Sequence, residues 1–206
     1  MMSCHCLLCI NQNSIMDIQY RVKMLSQWHC GSGESAGADL DLLVIKDKQK
    51  MPYIPGKTMK GLIRDAVEEL MGWMGIAEVA NDSDFALLFG NFDDSTESMA
   101  KAEGFFTDAV IEKTEYDTIV HGKLQQYLYD SVASTAIDND GIAKDASLRT
   151  IEVCVPVTLV GSINNVPQSM RPWIKDAMGY IKCLGTNRSR GLGRCTIEMT
   201  EKGDNA

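Results

Sequence analysis

The chain has 206 residues, 45% of them hydrophobic and 23% charged, the balance of a globular protein long enough to bury a core. No apolar run approaches the ~20 residues of a bilayer-spanning helix, and the first ten residues lack the charged start of a secretory signal, so a cytoplasmic protein without a membrane partner is expected. The net charge of −8 argues against a polyanion partner only as a sum. Six cations face one acid between Lys46 and Arg64, and again between Arg171 and Arg194, whereas eleven acids face two lysines between Glu78 and Asp117. Two basic segments joined to Gly-rich turns point to a polyanion site.

Seven cysteines are an odd count, and only Cys4, Cys6 and Cys9 cluster, which argues against a disulfide framework. With His5 they have the ligand types of a zinc site, but no second half-site follows. Residues 1–15 therefore read as a loose leader, 16–201 as one domain and 202–206 as a tail.

Asp17 to Leu25 alternates, with Ile18, Tyr20, Val22 and Met24 on one side and Gln19, Arg21 and Lys23 on the other, a half-buried strand. A turn-rich segment from Trp28 to Ser35 follows. Its Gly31 and Gly33 let backbone approach a ligand closely, and His29 is a lone loop histidine, more often structural than chemical. Ala38 to Lys46 reads as a second strand led by Asp39 and Asp41, which at a spacing of two share a face.

In Met51 to Ala66, Pro52 and Pro55 hold the chain extended and Gly56 turns it. Met59, Leu62, Ile63, Ala66, Val67, Leu70, Met71 and Met74 then recur at helical spacing, so a helix is expected from about Thr58, a candidate N-cap. Lys57, Lys60 and Arg64 crowd first turns that the helix dipole already makes positive. A phosphate there would relieve the conflict.

An acidic, aperiodic insertion runs from about residue 76 to 104, broken by the apolar knot Phe85–Gly90. Gly104 to Lys113 reads as a strand, and Tyr116 to Val132 is ambiguous and partly helical. Asn139-Asp140-Gly141 is a turn, and Leu148 to Val160 alternates as a strand. Trp173 to Leu184 is a second amphipathic helix that Gly185 stops. The following loop, Thr186 to Arg194, has three arginines and two glycines ahead of a last strand, Cys195 to Thr200. Glycines bring N–H groups to a ligand and arginines supply forked donors, so this is a phosphate cradle, although not a Walker loop.

Taken in order, Pro52-Tyr53-Ile54-Pro55-Gly56-Lys57-Thr58-Met59-Lys60-Gly61, the Trp28–Gly33 element, Phe106–Ala109 and Ser189-Arg190-Gly191-Leu192-Gly193-Arg194 resemble the CRISPR-associated RAMP superfamily. Within it the chain is most similar to the backbone subunit of type III RNA-guided effector complexes. It departs from the pattern with Trp28 and Cys30 in the apolar places around His29 and with Ala146 where glycine is usual. The resemblance implies an α+β fold, an RRM-like (ferredoxin-like) core with insertions. It also implies a thumb-like β-hairpin at about 133–150 that wedges between bases of a guide–target duplex. Ile142 and Leu148 suit that wedge as well as they suit a core, and Lys144 and Arg149 would face phosphates.

The same resemblance assigns guide-RNA binding to His29, Gly31, Gly33, Lys57, Thr58, Lys60, Arg64, Arg188, Ser189, Arg190, Gly191, Gly193 and Arg194. Asp41, counted back from Val44-Ile45-Lys46-Asp47, falls where such subunits carry the acid for target-RNA cleavage, with Asp39 the alternative. Asp41 would then also meet a divalent cation, Mg2+. The implied partners are a guide RNA, a complementary target RNA, further copies of this chain and other effector-complex subunits. Two other roles stay open: a non-catalytic filament subunit, and a guide-processing endoribonuclease that relies on His29 or His121.

Overall fold

The computed structural model describes residues 14–33, 41–75, 83–93, 98–100, 102–145 and 147–200. The Cys4–Cys9 cluster, Asp39, Ala146 and much of the acidic insertion lie outside the described residues. In chain order the elements are β1 (Ile15–Met24), α1 (Gly56–Trp73), α2 (Ser83–Phe89), β2 (Asn91–Asp93), β3 (Ser98–Ala100), β4 (Phe105–Phe106) and β5 (Val110–Ile111). Then follow α3 (Lys113–His121), β6 (Tyr129–Ser134), β7 (Arg149–Cys154), β8 (Thr158–Pro167), α4 (Arg171–Tyr180) and β9 (Cys195–Thr200).

The fold is a mixture of helices and antiparallel sheets. β1 lies at the centre of the main sheet, in the order β4-β8-β1-β9, with β5 also on the outer edge of β8. Its alternation is the one the sequence shows: Ile18, Tyr20, Val22 and Met24 are buried. α1 and α4 pack on one another, burying Met59, Ile63, Val67 and Met71 with Ile174, Ala177 and Met178. No described helix is long and apolar enough to cross a membrane.

Several expected boundaries move, each for a long-range reason. α1 begins at Gly56 with Pro55 as its N-cap, and no side chain caps it, so Thr58 does not. Instead the Gly56 N–H donates to Asp108 Oδ1 at 2.7 Å, which sets a carboxylate at the positive helix end. Residues 41–46 form isolated bridges rather than a strand: Leu42 to Ile151, Val44 to Gly31 and Lys46 to Pro52. The Gly104–Lys113 strand breaks into β4 and β5 because Ala109 leaves to pair with Ile54. α4 stops at Tyr180, where Ile181 is extended, and Cys183 then pairs with Arg194.

The Leu148–Val160 run divides at Val155–Val157, so β7 pairs with β6 while β8 joins the main sheet. β6 and β7 form a hairpin whose far end is solvent-facing. Ile137, Ile142 and Leu148 there are 68%, 64% and 69% exposed, so within this chain Ile142 and Leu148 are not core residues.

At the root of the hairpin, Glu152 is only 9% exposed. Its Oε1 accepts from Lys46 Nζ at 2.7 Å and its Oε2 from the Val44 N–H at 3.0 Å. Lys46 Nζ also stands 4.1 Å from the centre of the Tyr129 ring. Glu152→Ala would leave the Lys46 cation only the Tyr129 ring and the Val44 N–H no acceptor. The expected cost is about 2 kcal/mol, below that of a fully buried pair because Lys46 keeps some solvent. Urea denaturation of Glu152→Ala beside Glu152→Gln, which keeps an acceptor and loses less, checks this.

Candidate nucleic-acid interface

The segment from Trp28 to Gly33 ties distant elements together. Trp28 is fully buried and its Nε1–H donates to the Val155 carbonyl at 3.0 Å. His29 is 1% exposed, with Nδ1 at 2.6 Å from the Glu152 carbonyl. A carbonyl only accepts, so Nδ1 carries a proton. The backbone carbonyl of His29 accepts from the Thr186 N–H at 3.0 Å, so one residue joins hairpin strand β7 to the glycine-rich loop. Gly31 and Gly33 are exposed beyond it. On the other side the Cys30 thiol, pushed up by burial, hydrogen-bonds with Thr58 and lies near Lys57.

The loop from Gly185 to Arg194 is rigid at its base and open at its tip. The Gly193 N–H donates to Gln27 O at 2.8 Å, its carbonyl accepts from the Leu184 N–H at 2.9 Å, and the Arg194 N–H donates to Ser26 Oγ at 3.0 Å. Between them, a 3-10 turn over Arg188–Arg190 is entered through Asn187 at φ 58° and left through Gly191 at φ 88°. Arg188, Ser189 and Arg190 are exposed, and neither arginine, nor Arg194, has an ion pair among the described residues.

The glycines differ in what they do. Gly191 has open space around it and supplies only its positive φ. Gly193 has φ 72°, and a Cβ there would collide with the Leu184 carbonyl oxygen. Gly191→Ala is therefore expected to cost about 1–2 kcal/mol and Gly193→Ala about 3 kcal/mol. Thermal unfolding of the pair tests the order, which reverses if the tip rather than the base needs glycine.

From this loop two arms reach different clefts. Arg190 lines a cleft of about 400 Å³ with Lys144, Asp145, Ser147 and Arg149 of the hairpin. Three of the cations singled out in the sequence, from segments some forty residues apart, thus face one hollow. Arg188 lines another cleft of about 400 Å³ with Leu62, Asp65 and Glu69 of α1 and Lys182. Lys57, Lys60 and Arg64 do not line the Arg190 cleft. Arg64 Nε instead lies 3.2 Å from Glu68 and 3.8 Å from Asp65, and burial followed by the Arg64 charge pulls the Lys60 ammonium down. Lys57 is exposed at the start of α1.

Asp41 stands at the hairpin base. Its N–H donates to the Thr150 carbonyl and its Oδ2 accepts from the Thr150 N–H, both at 2.8 Å, next to Arg149 of the cleft. Asp41 is exposed, and its second carboxylate oxygen has no bond among the described residues. Among the described residues there is no group of three or more His, Cys, Asp or Glu side chains suited to a metal ion. One carboxylate nonetheless fits the habit of Mg2+, which keeps waters and takes phosphate oxygens for the rest of its shell. His121 is exposed on α3, with Nδ1 2.7 Å from the Asp117 carbonyl.

Sequence reasoning missed Asp145 and Ser147 in the cleft and Asp108 at the α1 N-terminus. Asp108 sits in the Phe106–Ala109 motif, yet only the break of the strand turns it toward Gly56.

No curated protein sequence matches the chain. A chain from the cryo-EM structure of the type III-B Cmr-beta bound to cognate target RNA superposes with a TM-score of 0.67 at 11% identity, over 89% of this chain and 97% of that one. A chain from the apo state of Cmr-beta gives 0.64 at 11% identity, over 90% and 98%. At that identity the likeness is one of fold. A family model for the RAMP superfamily matches residues 21–196, a span that takes in the Trp28–Gly33 segment, α1, the hairpin and the arginine loop, and the chain belongs to that superfamily.

Proposed function

We propose that this chain is a guide-RNA-binding backbone subunit of a type III-like CRISPR interference complex, with endoribonuclease activity on the complementary target RNA. The observation that carries the reading is the meeting of Lys144, Arg149 and Arg190 on one cleft beside Asp41. Forked arginine donors suit phosphate oxygens, and a protein whose partner supplies specificity by base pairing needs to hold only backbone and shape. The succession β1-α1-β4/β5-β8-α4-β9 with sheet order β4-β8-β1-β9 supports a ferredoxin-like, RRM-like core. The exposed Ile137, Ile142 and Leu148 support a thumb that meets bases.

In the cleavage reaction the free oxygen of Asp41 accepts the proton of a target 2′-hydroxyl as the 2′-oxygen bonds to the adjacent phosphorus and the P–O5′ bond breaks, the 5′-oxygen taking a proton from water, while the arginines hold the scissile phosphate in place. Alternatively, the same oxygen of Asp41, with RNA phosphates, would hold Mg2+, which would supply a Lewis acid for the charge that builds on the phosphodiester. The bond from the Thr150 N–H gives the same carboxylate a structural task, and this favours the second reading, a filament subunit that does not cut.

The test is co-expression with the genomic neighbours, sequencing of the RNA that copurifies, and addition of complementary RNA with and without magnesium. Repeat-derived guides in the purified complex are expected, together with cleavage of the added strand. An RNA-free complex would overturn the assignment, and binding without cleavage would select the second reading.

A further inference from the structure

The hairpin cleft of about 400 Å³ holds one group that a phosphate-binding surface does not call for, the carboxylate of Asp145. It lines the hollow with Lys144, Arg149 and Arg190, yet it forms no ion pair among the described residues, and neither do those three cations. Asp41 is a separate acid: it stands at the hairpin base and is not part of this lining.

The turn that carries Asp145 is tied down on both sides. The Lys144 N–H donates to the Ala136 carbonyl at 2.9 Å, and the Ser147 N–H to the Lys144 carbonyl at 3.3 Å. Ser147 Oγ lies 2.7 Å from Thr135 Oγ1 and accepts from the Ala136 N–H at 3.0 Å. Backbone bonds, rather than attraction to the neighbouring cations, therefore set where Asp145 sits, and it stays exposed.

A carboxylate repels the phosphates that the three cations attract, so on a surface that only holds phosphates it would weaken every polyanion alike. It is acceptor-only, and what it needs from a ligand is an O–H or N–H. In a ribose-phosphate chain the donor that every nucleotide carries, whatever its base, is the 2′-hydroxyl, and deoxyribose lacks it. We propose that Asp145 accepts a hydrogen bond from a ribose 2′-hydroxyl of the strand held by Lys144, Arg149 and Arg190, and so makes this cleft select RNA over DNA. The proposal rests on the reading of the cleft as an RNA site and adds the residue that recognises the sugar. Phosphate contacts alone do not tell the two strands apart, whereas Asp145 favours the strand with the hydroxyl and repels the one without it.

The full chain, as wild type, Asp145→Asn and Asp145→Ala, is titrated by filter binding with RNA, DNA and 2′-O-methyl RNA of one sequence, in EDTA at a fixed salt concentration. Asp145 is exposed and unpaired, so both variants should fold as wild type does. Wild type is expected to bind RNA about tenfold more tightly than either strand that cannot donate. Asp145→Ala loses that ratio and binds DNA more tightly, while Asp145→Asn, whose amide oxygen still accepts, keeps part of it. If all three strands gain equally in the variants, the carboxylate is only a repulsive charge and the proposal is wrong. It is also wrong if the effect follows the bases of a second sequence rather than the sugar, or arises only when magnesium replaces EDTA. Arg190→Ala separates the two levels, because it should weaken RNA and DNA alike and leave their ratio unchanged. RNA binding that needs Arg190, with the ratio intact in Asp145→Ala, sinks the sugar contact alone; no RNA binding by wild type sinks the RNA cleft with it.

Discussion

Replacing Lys144, Arg149 and Arg190 together by alanine is expected to weaken binding of single-stranded RNA about a hundredfold at 0.1 M salt and to lower the salt slope by about 2. Each cation that neutralises a phosphate on a single strand contributes about 0.7 to that slope, and three are removed. All three are exposed, so folding stability should move by less than about 0.5 kcal/mol. The loss should be uniform across RNA sequences, because phosphate contacts hold the strand without reading it. Filter binding from low to high salt measures both quantities. Arg188→Ala is the internal comparison: Arg188 faces the other cleft, where Asp65 and Glu69 oppose its charge, so its loss should lower the slope less. An unchanged slope in the triple variant would remove the hairpin cleft from the interface.

The parts of this interface that were legible in the sequence are those set by local rules. Alternation placed β1, helical spacing placed α1 to within two residues, and glycines around three arginines marked the loop. Long-range pairing was not legible. Nothing near Gly104–Lys113 says that Ala109 will pair with Ile54, and the Asp108 cap of α1 follows from that one departure. Counting charges along the chain also treated each basic run as one group, whereas Arg188 of the loop shares a cleft with α1 and Arg190 shares one with the hairpin. Arg64 is balanced by Glu68, four residues on, a spacing that was readable and that the count passed over. Conversely, the hairpin brought Arg149 to Arg190 through the His29 link between Glu152 and Thr186, for which a lone loop histidine gave no signal.

If the chain cuts as proposed, Asp41→Asn should abolish target-RNA cleavage while binding and folding persist, and asparagine is the informative replacement because Asp41 would then have two tasks. Its Oδ2 receives the Thr150 N–H, and an amide oxygen accepts that bond equally well. The backbone bond from the Asp41 N–H to Thr150 O is untouched, so the hairpin base keeps both ties. What asparagine lacks is a basic oxygen for the 2′-hydroxyl proton and a charge for a cation, and loss of a positioned general base lowers rates by about 10²–10⁴-fold. Asp41→Ala removes the structural bond as well, so it should lose about 1 kcal/mol of stability in addition to the rate. Cleavage of labelled complementary RNA under single-turnover conditions, with guide loading measured in parallel, separates the two effects. A wild-type rate in Asp41→Asn would leave the carboxylate as a hairpin clasp and make this chain a subunit that holds RNA without cutting it.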